Sequence, residues 1–254
     1  MRLVACLFAA LLSFVVVLAQ PKDKPKDPPP QPLYALQLAV DPGKTTKLTL
    51  RGLNLDSATE VRVGEPKSSG KVVGKGKKVT VPNQMSAQVV GDSEIEIEVT
   101  LPKEVPGGEV PFTLIGPGGE GKSMTLLVND DTPRVQEKEP NDGFKQAMPV
   151  TAPQIVESSF KQNQDVDVFR LEGKAGEKFR IEILAGRFGS PADAMLTIYD
   201  ADGTTIATGE VPVGGRDPIV RLSLPKTGAF FISVLEGFDQ GGANFVYRLA
   251  VRKE

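Results

Sequence analysis

The sequence predicts an all-β fold made of two tandem β-sandwiches. Apolar and acidic residues alternate in SEIEIEVTL (93–101), which places Ile95, Ile97 and Val99 on one face of a strand. Other short apolar runs follow, separated by Gly- and Pro-rich turn segments such as EVPGGE and GPGGEGK. Short strands without long helices between them favour antiparallel sandwiches over βαβ units.

The distribution of Phe divides the chain into two cores. Phe112 is the only Phe between residues 33 and 129, whereas nine Phe follow residue 130. We therefore predict a first sandwich at 33–129 with an aliphatic core, a linker at 130–136 and a second sandwich at 137–254. The predicted anchors of the second core are Phe169, Phe179 and Phe231.

The N-terminal segments are predicted to direct and space the protein rather than to fold. Residues 1–19 combine Arg2 with a long apolar run and small residues, which is typical of a signal peptide cleaved after Ala19. Residues 20–32, QPKDKPKDPPPQP, predict an extended Pro-rich tether. We expect a mature chain without a transmembrane segment, located in the periplasm, on the cell surface or outside the cell.

The composition excludes several kinds of chemistry. Cys6 is the only Cys and lies in the predicted signal peptide, and the chain has no His. A thiol nucleophile, a His-based catalytic triad and a zinc site with N or S ligands are therefore excluded from the mature chain. The formal net charge of −2 gives no reason to expect nucleic acid as a partner. Since Trp platforms for sugars are also absent, we predict that the protein is not an enzyme.

Two acidic segments form the main candidate site. They are EKEPNDGFKQAMPV (137–150) and NQDVDVFRL (163–171). If the first folds back beside the second, five carboxylates converge: Glu137, Glu139, Asp142, Asp165 and Asp167. Two such charges about 5 Å apart repel by roughly 3 kcal/mol at an effective dielectric constant near 20. A divalent cation removes this repulsion, and Ca²⁺ suits the cluster because it accepts six to eight oxygen ligands in flexible geometry.

The alternative for the first segment is a helix cap. Asn141 or Asp142 would then cap one helical turn in GFKQA, while Glu137 and Glu139 remain in solvent. A cap uses only one side-chain oxygen and leaves the acids before Phe169 unexplained. Both interpretations remain open at the level of the sequence.

Two other polar segments are predicted to be structural. YDADGTT (199–205) begins like a calcium loop but lacks its remaining ligands, and Asp202-Gly203 between two apolar runs favours a β-hairpin. KSSGKVVGKGKKV (67–79) could contact an anionic polymer. Without Arg or interleaved aromatic residues, this segment is predicted to be a solvated loop.

The second half of the chain resembles the bacterial pre-peptidase C-terminal (PPC) domain family. The segments that carry the resemblance are EKEPNDGFKQAMPV, QDVDVFRLEGKAGEKFRIEI, GSPADAMLTIYDADGTTIA, DPIVRLSLPKTGAFFISV and GGANFVYRLAV. The resemblance implies a jelly-roll-like sandwich that is secreted, is not itself catalytic and is appended to other domains, often proteases. No catalytic domain accompanies it within these 254 residues.

The first half is similar to immunoglobulin-like IPT/TIG domains. The similarity rests on GKTTKLTLRGLNLDSATEVRVG (43–64) and on the segment 91–128. An IPT/TIG-like domain followed directly by a PPC domain resembles an arrangement of secreted proteins in planctomycete-type bacteria.

Resemblance also points to calcium. Collagenase collagen-binding domains, which are similar to PPC domains, bind calcium through an acidic linker and through acids that precede a strand. Matched by position, this implies the ligand set Glu137, Glu139, Asn141, Asp142, Asp165 and Asp167. The collagen-contacting aromatic residues of those domains have no match here, so collagen is not implied.

The predicted function is therefore that of a secreted, non-catalytic binding or adhesion protein with a structural Ca²⁺ site. Its partner would be an envelope polysaccharide or protein. The alternatives are an accessory or secretion-assisting module for a separate protease or glycan hydrolase, and a purely structural envelope component.

Overall fold

The structure is all β apart from short helical turns, as the sequence predicts. It is a computed structural model that describes residues 27–82 and 85–254. The predicted signal peptide and residues 20–26 of the predicted tether lie outside the described residues. Within the described part of the chain, no helix has the length and hydropathy needed to cross a bilayer.

The first sandwich comprises residues 31–128 and contains ten strands in two sheets. Their bounds are β1 Gln31–Ala35, β2 Ala39–Val40, β3 Thr45–Leu53, β4 Glu60–Val63, β5 Ser69–Val72, β6 Lys77–Lys78, β7 Ser93–Thr100, β8 Gly108–Gly116, β9 Gly119–Glu120 and β10 Met124–Val128. One sheet has the order β1-β3-β7-β5 with β6 beside β7. The other has the order β2-β10-β8-β4 with β9 beside β8. A 3₁₀ turn at Leu55–Ser57 and a helical turn, α1, at Ala87–Val90 complete this half.

The core of the first sandwich confirms the predicted alternation. Ile95, Ile97 and Val99 of β7 are buried, whereas Glu96 between them is exposed. Phe112 is the only Phe in this otherwise aliphatic cluster. Apolar side chains from both sheets fill the space between them, so burial of one face of each sheet holds the sandwich together.

The second sandwich comprises residues 134–253 and also contains ten strands in two sheets. Their bounds are β11 Arg134–Gln136, β12 Met148–Val150, β13 Gln154–Ser159, β14 Val166–Gly173, β15 Lys178–Leu184, β16 Ala194–Asp200, β17 Thr205–Thr208, β18 Ile219–Ser223, β19 Gly228–Glu236 and β20 Val246–Lys253. The sheet orders are β11-β13-β20-β15-β18 and β12-β14-β19-β16-β17. A 3₁₀ turn lies at Gly186–Phe188. The core contains the predicted Phe169 and Phe179.

Three details differ from the predicted organisation. Phe231 is buried, at 8% exposure, but it lies outside the main core cluster and stacks on Phe144 with ring centroids 4.2 Å apart, because alternation along β19 directs it away from Phe230. The predicted tether extends to residue 32, yet β1 begins at Gln31. The predicted linker 130–136 ends in β11, which pairs in parallel with β13 and so belongs to the second sandwich.

The two sandwiches pack against each other through a small apolar interface. Leu36, Leu38 and Leu127 of the first sandwich share a cluster with a set from the second: Ile155, Leu184, Phe188, Val246 and Ala250. At the edge of this cluster Arg248 donates hydrogen bonds of 2.7 Å to Asn129 and to Glu157. At Gly189, with φ +84°, a Cβ atom would lie 1.9 Å from the carbonyl oxygen of Leu33, so this close approach requires glycine.

Candidate metal centre

The acidic segment lies where the chain crosses from one sheet of the second sandwich to the other. At its start, Glu137 donates its backbone N–H to the carbonyl oxygen of Glu157 on β13 at 3.0 Å. At its end, the carbonyl oxygen of Asn141 accepts the N–H of Val168 on β14 at 2.9 Å. Because β13 and β14 belong to different sheets, these two bonds hold residues 137–141 across the end of the sandwich.

This crossing brings three of the predicted carboxylates together. Ligand oxygens of Glu137, Glu139 and Asp167 all lie within 4.8 Å of one another. Asp167 is fully buried, and the side chain of Glu137 is only 2% exposed. The fold-back of the first acidic segment onto the second, which the sequence left open, therefore occurs.

Asn141 connects two of these acids. Its side-chain amide donates to Glu137 Oε1 at 3.1 Å, and its backbone N–H donates to Glu139 Oε2 at 3.1 Å. Asn141 therefore does not act as a helix cap. Residues 143–146 form an isolated turn, with a 3.0 Å bond from the N–H of Gln146 to the carbonyl oxygen of Gly143, and the helical turn predicted for GFKQA is absent.

Two buried oxygen atoms at this centre have no hydrogen-bond partner among the described residues. They are Oδ1 of Asn141 and Oδ1 of Asp167, and both residues are 0% exposed. A buried polar atom without a partner costs about 1–3 kcal/mol. Unpartnered oxygens beside a cluster of carboxylates are the donor set that a hard cation such as Ca²⁺ accepts.

The other two predicted acids lie at the margin of the cluster. Asp165 is 4% exposed, and its carboxylate accepts the backbone N–H of Lys161 at 2.5 Å. Burial raises the pKa of Asp165, and the charges of Glu139, Glu137 and Asp142 add to this effect against the opposing bond from Lys161. Asp142 is exposed. Neither acid belongs to the group of three carboxylates.

Lys161 is a component of the centre that the sequence analysis missed. Its ammonium group lies 3.0 Å from Glu137 Oε2 and 2.9 Å from Glu139 Oε1. Burial lowers the pKa of Lys161, but the bonds to Glu139 and Glu137 outweigh burial and raise it overall. Lys161 lies two residues after the end of β13, and the only signal for it in the sequence is its place four residues before Asp165.

Asp167 has the most perturbed carboxyl group at this centre. Burial, followed by the charge of Glu137, raises its pKa to about 9. The hydroxyl of Tyr247, itself 1% exposed, donates a hydrogen bond to Asp167 Oδ2 and opposes this shift. The cluster thus carries more negative charge than the Lys161 ammonium alone balances. A divalent cation would supply the missing positive charge.

Replacing Tyr247 with Phe should destabilise the second sandwich. The change removes the donor to Asp167 Oδ2 and leaves that buried oxygen without this hydrogen bond, which costs about 1–3 kcal/mol. Urea unfolding in the presence of a chelator measures this loss. Tyr199→Phe is the control, since Tyr199 is only partly buried, and it should change stability by less than about 0.5 kcal/mol. Equal losses in both variants would show that the bond to Asp167 is unimportant.

The two secondary candidates are structural, as predicted. Asp202-Gly203 forms the turn of the β16–β17 hairpin, and Asp200 Oδ1 accepts the N–H groups of Asp202 and Thr204. Lys226 lies 3.0 Å from both Asp200 and Asp202, so an ammonium group balances this pair.

The Lys-rich segment is not the predicted loop, because it contains β5 and β6, which pair with β7; it is part of a mixed charged face. Lys77 pairs with Glu94 at 3.1 Å and Lys78 with Asp92 at 3.1 Å. On the same sheet, Lys47 pairs with Glu96 at 2.9 Å. Pairing of this kind is typical of a solvated surface.

Comparison with known protein families is informative for the second sandwich. The family model described as bacterial pre-peptidase C-terminal domain matches residues 165–236. The chain therefore contains a PPC domain. The match starts at Asp165 and includes Asp167, whereas Glu137, Glu139 and Asn141 precede it. No curated protein matches the chain.

Solved structures show only distant likeness. The pre-peptidase C-terminal domain of a Bacillus anthracis collagenase is 15% identical, with a TM-score of 0.35, over 46% of this chain and 100% of its own. Aeromonas hydrophila PliG, a periplasmic inhibitor of g-type lysozyme, is 17% identical, with a TM-score of 0.31, over 42% and 99%. A Bacteroides ovatus protein, SGBP-B, in complex with a mixed-linkage heptasaccharide, is 12% identical, with a TM-score of 0.26, over 84% and 72%. These values provide no basis for assigning a ligand or an activity.

Proposed function

We propose that the chain is a secreted, non-catalytic binding module whose PPC-containing sandwich is stabilised by a structural Ca²⁺. The observation that carries the metal site is the pair of unpartnered buried oxygens on Asn141 and Asp167, beside the carboxylates of Glu137 and Glu139. The site is built on the segment that joins the two sheets. Its cation would fix that segment rather than take part in a reaction.

The chemistry of the donors selects the cation. Every candidate ligand is an oxygen atom, which suits Ca²⁺, while Zn²⁺ favours the N and S ligands that this set lacks. Mg²⁺ requires near-ideal octahedral geometry, which irregular donors on two chain segments do not provide readily. Glu137, Glu139, Asn141 and Asp167 would hold the ion. Asp165 and Asp142 lie outside the group of three carboxylates. Their negative charges would strengthen the attraction of the site for the cation.

Access to the site is provided by a cleft between the two sandwiches. The cleft has a volume of about 420 Å³ and is lined in part by Glu137, Lys161 and Tyr247. Lys161 is 48% exposed at its side chain, so its ammonium group can swing into solvent when a cation binds. We infer that Ca²⁺ and the Lys161 ammonium compete for the same two carboxylates.

Calorimetric titration with Ca²⁺ tests this site directly. The protein should bind one Ca²⁺, and the double variant Glu137→Gln, Asp167→Asn should lose at least tenfold in affinity. Glu172→Gln, an exposed acid on β14 outside the cluster, should bind like the wild type. Absence of Ca²⁺ binding, or retention of full affinity in the double variant, would exclude the proposed site.

The binding role is supported by the PPC domain and by the lack of His and Cys in the predicted mature chain. A second candidate, an accessory module for a separate protease or glycan hydrolase, is favoured by the same family match, because PPC domains accompany peptidases in the resemblance described above. Affinity capture from the envelope fraction distinguishes the two. A polysaccharide or matrix protein as the main partner supports the binding role, whereas a co-purifying hydrolase supports the accessory role.

A further inference from the structure

A second cleft between the two sandwiches has a lining unlike that of the first. It has a volume of about 470 Å³, within the range of small-ligand sites. Three cationic side chains line it: Lys122 from the loop before β10, and Arg187 and Arg216 from loops of the second sandwich. None of its lining residues is acidic.

The cations of this cleft are poorly neutralised. Asp217 lies behind it, 6% exposed, with its carboxylate accepting the N–H groups of Ala185, Gly186 and Arg187. Arg187 approaches two acids only loosely, Asp217 at 3.7 Å and Glu182 at 4.0 Å. Within residues 27–82 and 85–254, neither Lys122 nor Arg216 forms an ion pair. Like charges gathered on one concave surface focus a positive potential and attract anions.

The other lining groups indicate which class of anion fits. Gln88, Ser123 and Thr125 offer amide and hydroxyl groups, and Val89 adds an apolar surface that is 53% exposed. A mixture of hydroxyl partners, an apolar contact and cations suits a sugar chain that bears acidic groups.

An acidic peptide fits this cleft less well. A peptide that adds to a sheet needs a free strand edge. The backbone of Gly189 already approaches β1 at the carbonyl oxygen of Leu33, and β10 pairs with β2 at Leu127 and Val128. The strand edge left free beside the cleft is therefore short.

We propose that this cleft binds an anionic polysaccharide, with Lys122, Arg187 and Arg216 contacting its acidic groups. The assignment rests on the proposed role as a binding module and names the class of its ligand. Because residues from both sandwiches form the cleft, the packing of the two sandwiches creates the site.

The test is a binding titration of the full mature chain with oligogalacturonate, a neutral oligosaccharide of similar length, and oligoglutamate. We expect oligogalacturonate to bind, with affinity that falls as salt is raised. The double variant Lys122→Gln, Arg216→Gln should bind at least tenfold more weakly. The control Lys71→Gln, Lys75→Gln removes the same charge from exposed positions outside the cleft and should stay within twofold of wild type.

Several outcomes would overturn the assignment. They are no binding of oligogalacturonate, equal binding of the neutral sugar, tighter binding of oligoglutamate with the same dependence on Lys122 and Arg216, and an equal loss in the control variant. The result is independent of the Ca²⁺ titration, which probes the other cleft. If the protein bound Ca²⁺ but no anionic sugar, the proposed metal site would stand and only the assignment of the sugar ligand would be wrong.

Discussion

Replacing Lys161 with Met should lower the free energy of unfolding in chelator by about 1–3 kcal/mol. The change removes the ammonium group from Glu137 and Glu139, and Glu137 is almost fully buried. Removing one partner of a buried ion pair typically costs about 3–5 kcal/mol, and the half-exposed position of Lys161 reduces this figure. Chemical denaturation measures the loss.

Addition of Ca²⁺ should reverse this loss. Without the competing ammonium group, the variant should bind Ca²⁺ more tightly than the wild type and gain more stability from it. Lys138→Met serves as the matched control, because Lys138 is exposed and lies between the same two acids in the sequence. If Lys161→Met stayed equally destabilised in millimolar Ca²⁺, Lys161 would be a permanent counter-ion and the proposed competition would be wrong.

Replacing Phe188 with Ala should destabilise the protein by about 3–5 kcal/mol and uncouple the two sandwiches. Phe188 is 4% exposed and belongs to the cluster that also contains Leu38 and Leu127 of the first sandwich. Truncating a buried Phe side chain removes the favourable free energy of transferring its apolar atoms out of water, and it leaves a cavity. We expect calorimetry to show one transition for the wild type and two separated transitions for the variant.

Phe238→Ala is the control for this experiment. Phe238 is 72% exposed on the loop after β19, so its truncation should change stability by less than about 0.5 kcal/mol. A single, unshifted transition in Phe188→Ala would show that the interface contributes little. In that case the second cleft would not be held in one shape, and the affinity expected for an anionic sugar would fall.

The fold was largely predictable because apolar and polar residues alternate in the sequence with the two-residue period of a β-strand. Ile95, Ile97 and Val99 alternate with acids, and the structure buries the apolar set. The position of β11 was not predictable, since three residues carry too little pattern to reveal a parallel pairing with β13. Phe231 is buried as predicted, but the sequence did not show which face it occupies, because β19 is apolar on both faces and the stacking on Phe144 is a long-range contact.

The metal centre was predictable only in part. The sequence shows two acidic patterns, one with a proline in 137–142 and one before Phe169. The resemblance to PPC domains indicated that the two belong to one site. Lys161 and Tyr247 belong to other strands or turns, and Tyr247 is 80 residues from Asp167 in the sequence. Such partners become visible only when the register of β14, β19 and β20 is known.

The central claim, a cation that fixes the crossing segment of the second sandwich, is tested most directly by thermal unfolding in chelator and in Ca²⁺. A site that is saturated at about 100 times its dissociation constant adds roughly 2.7 kcal/mol, so the melting temperature should rise by several degrees. The double variant Asp165→Ala, Asp167→Ala should show no rise. A wild-type melting temperature that is unchanged in millimolar Ca²⁺, or an equal rise in the double variant, would contradict the proposed site.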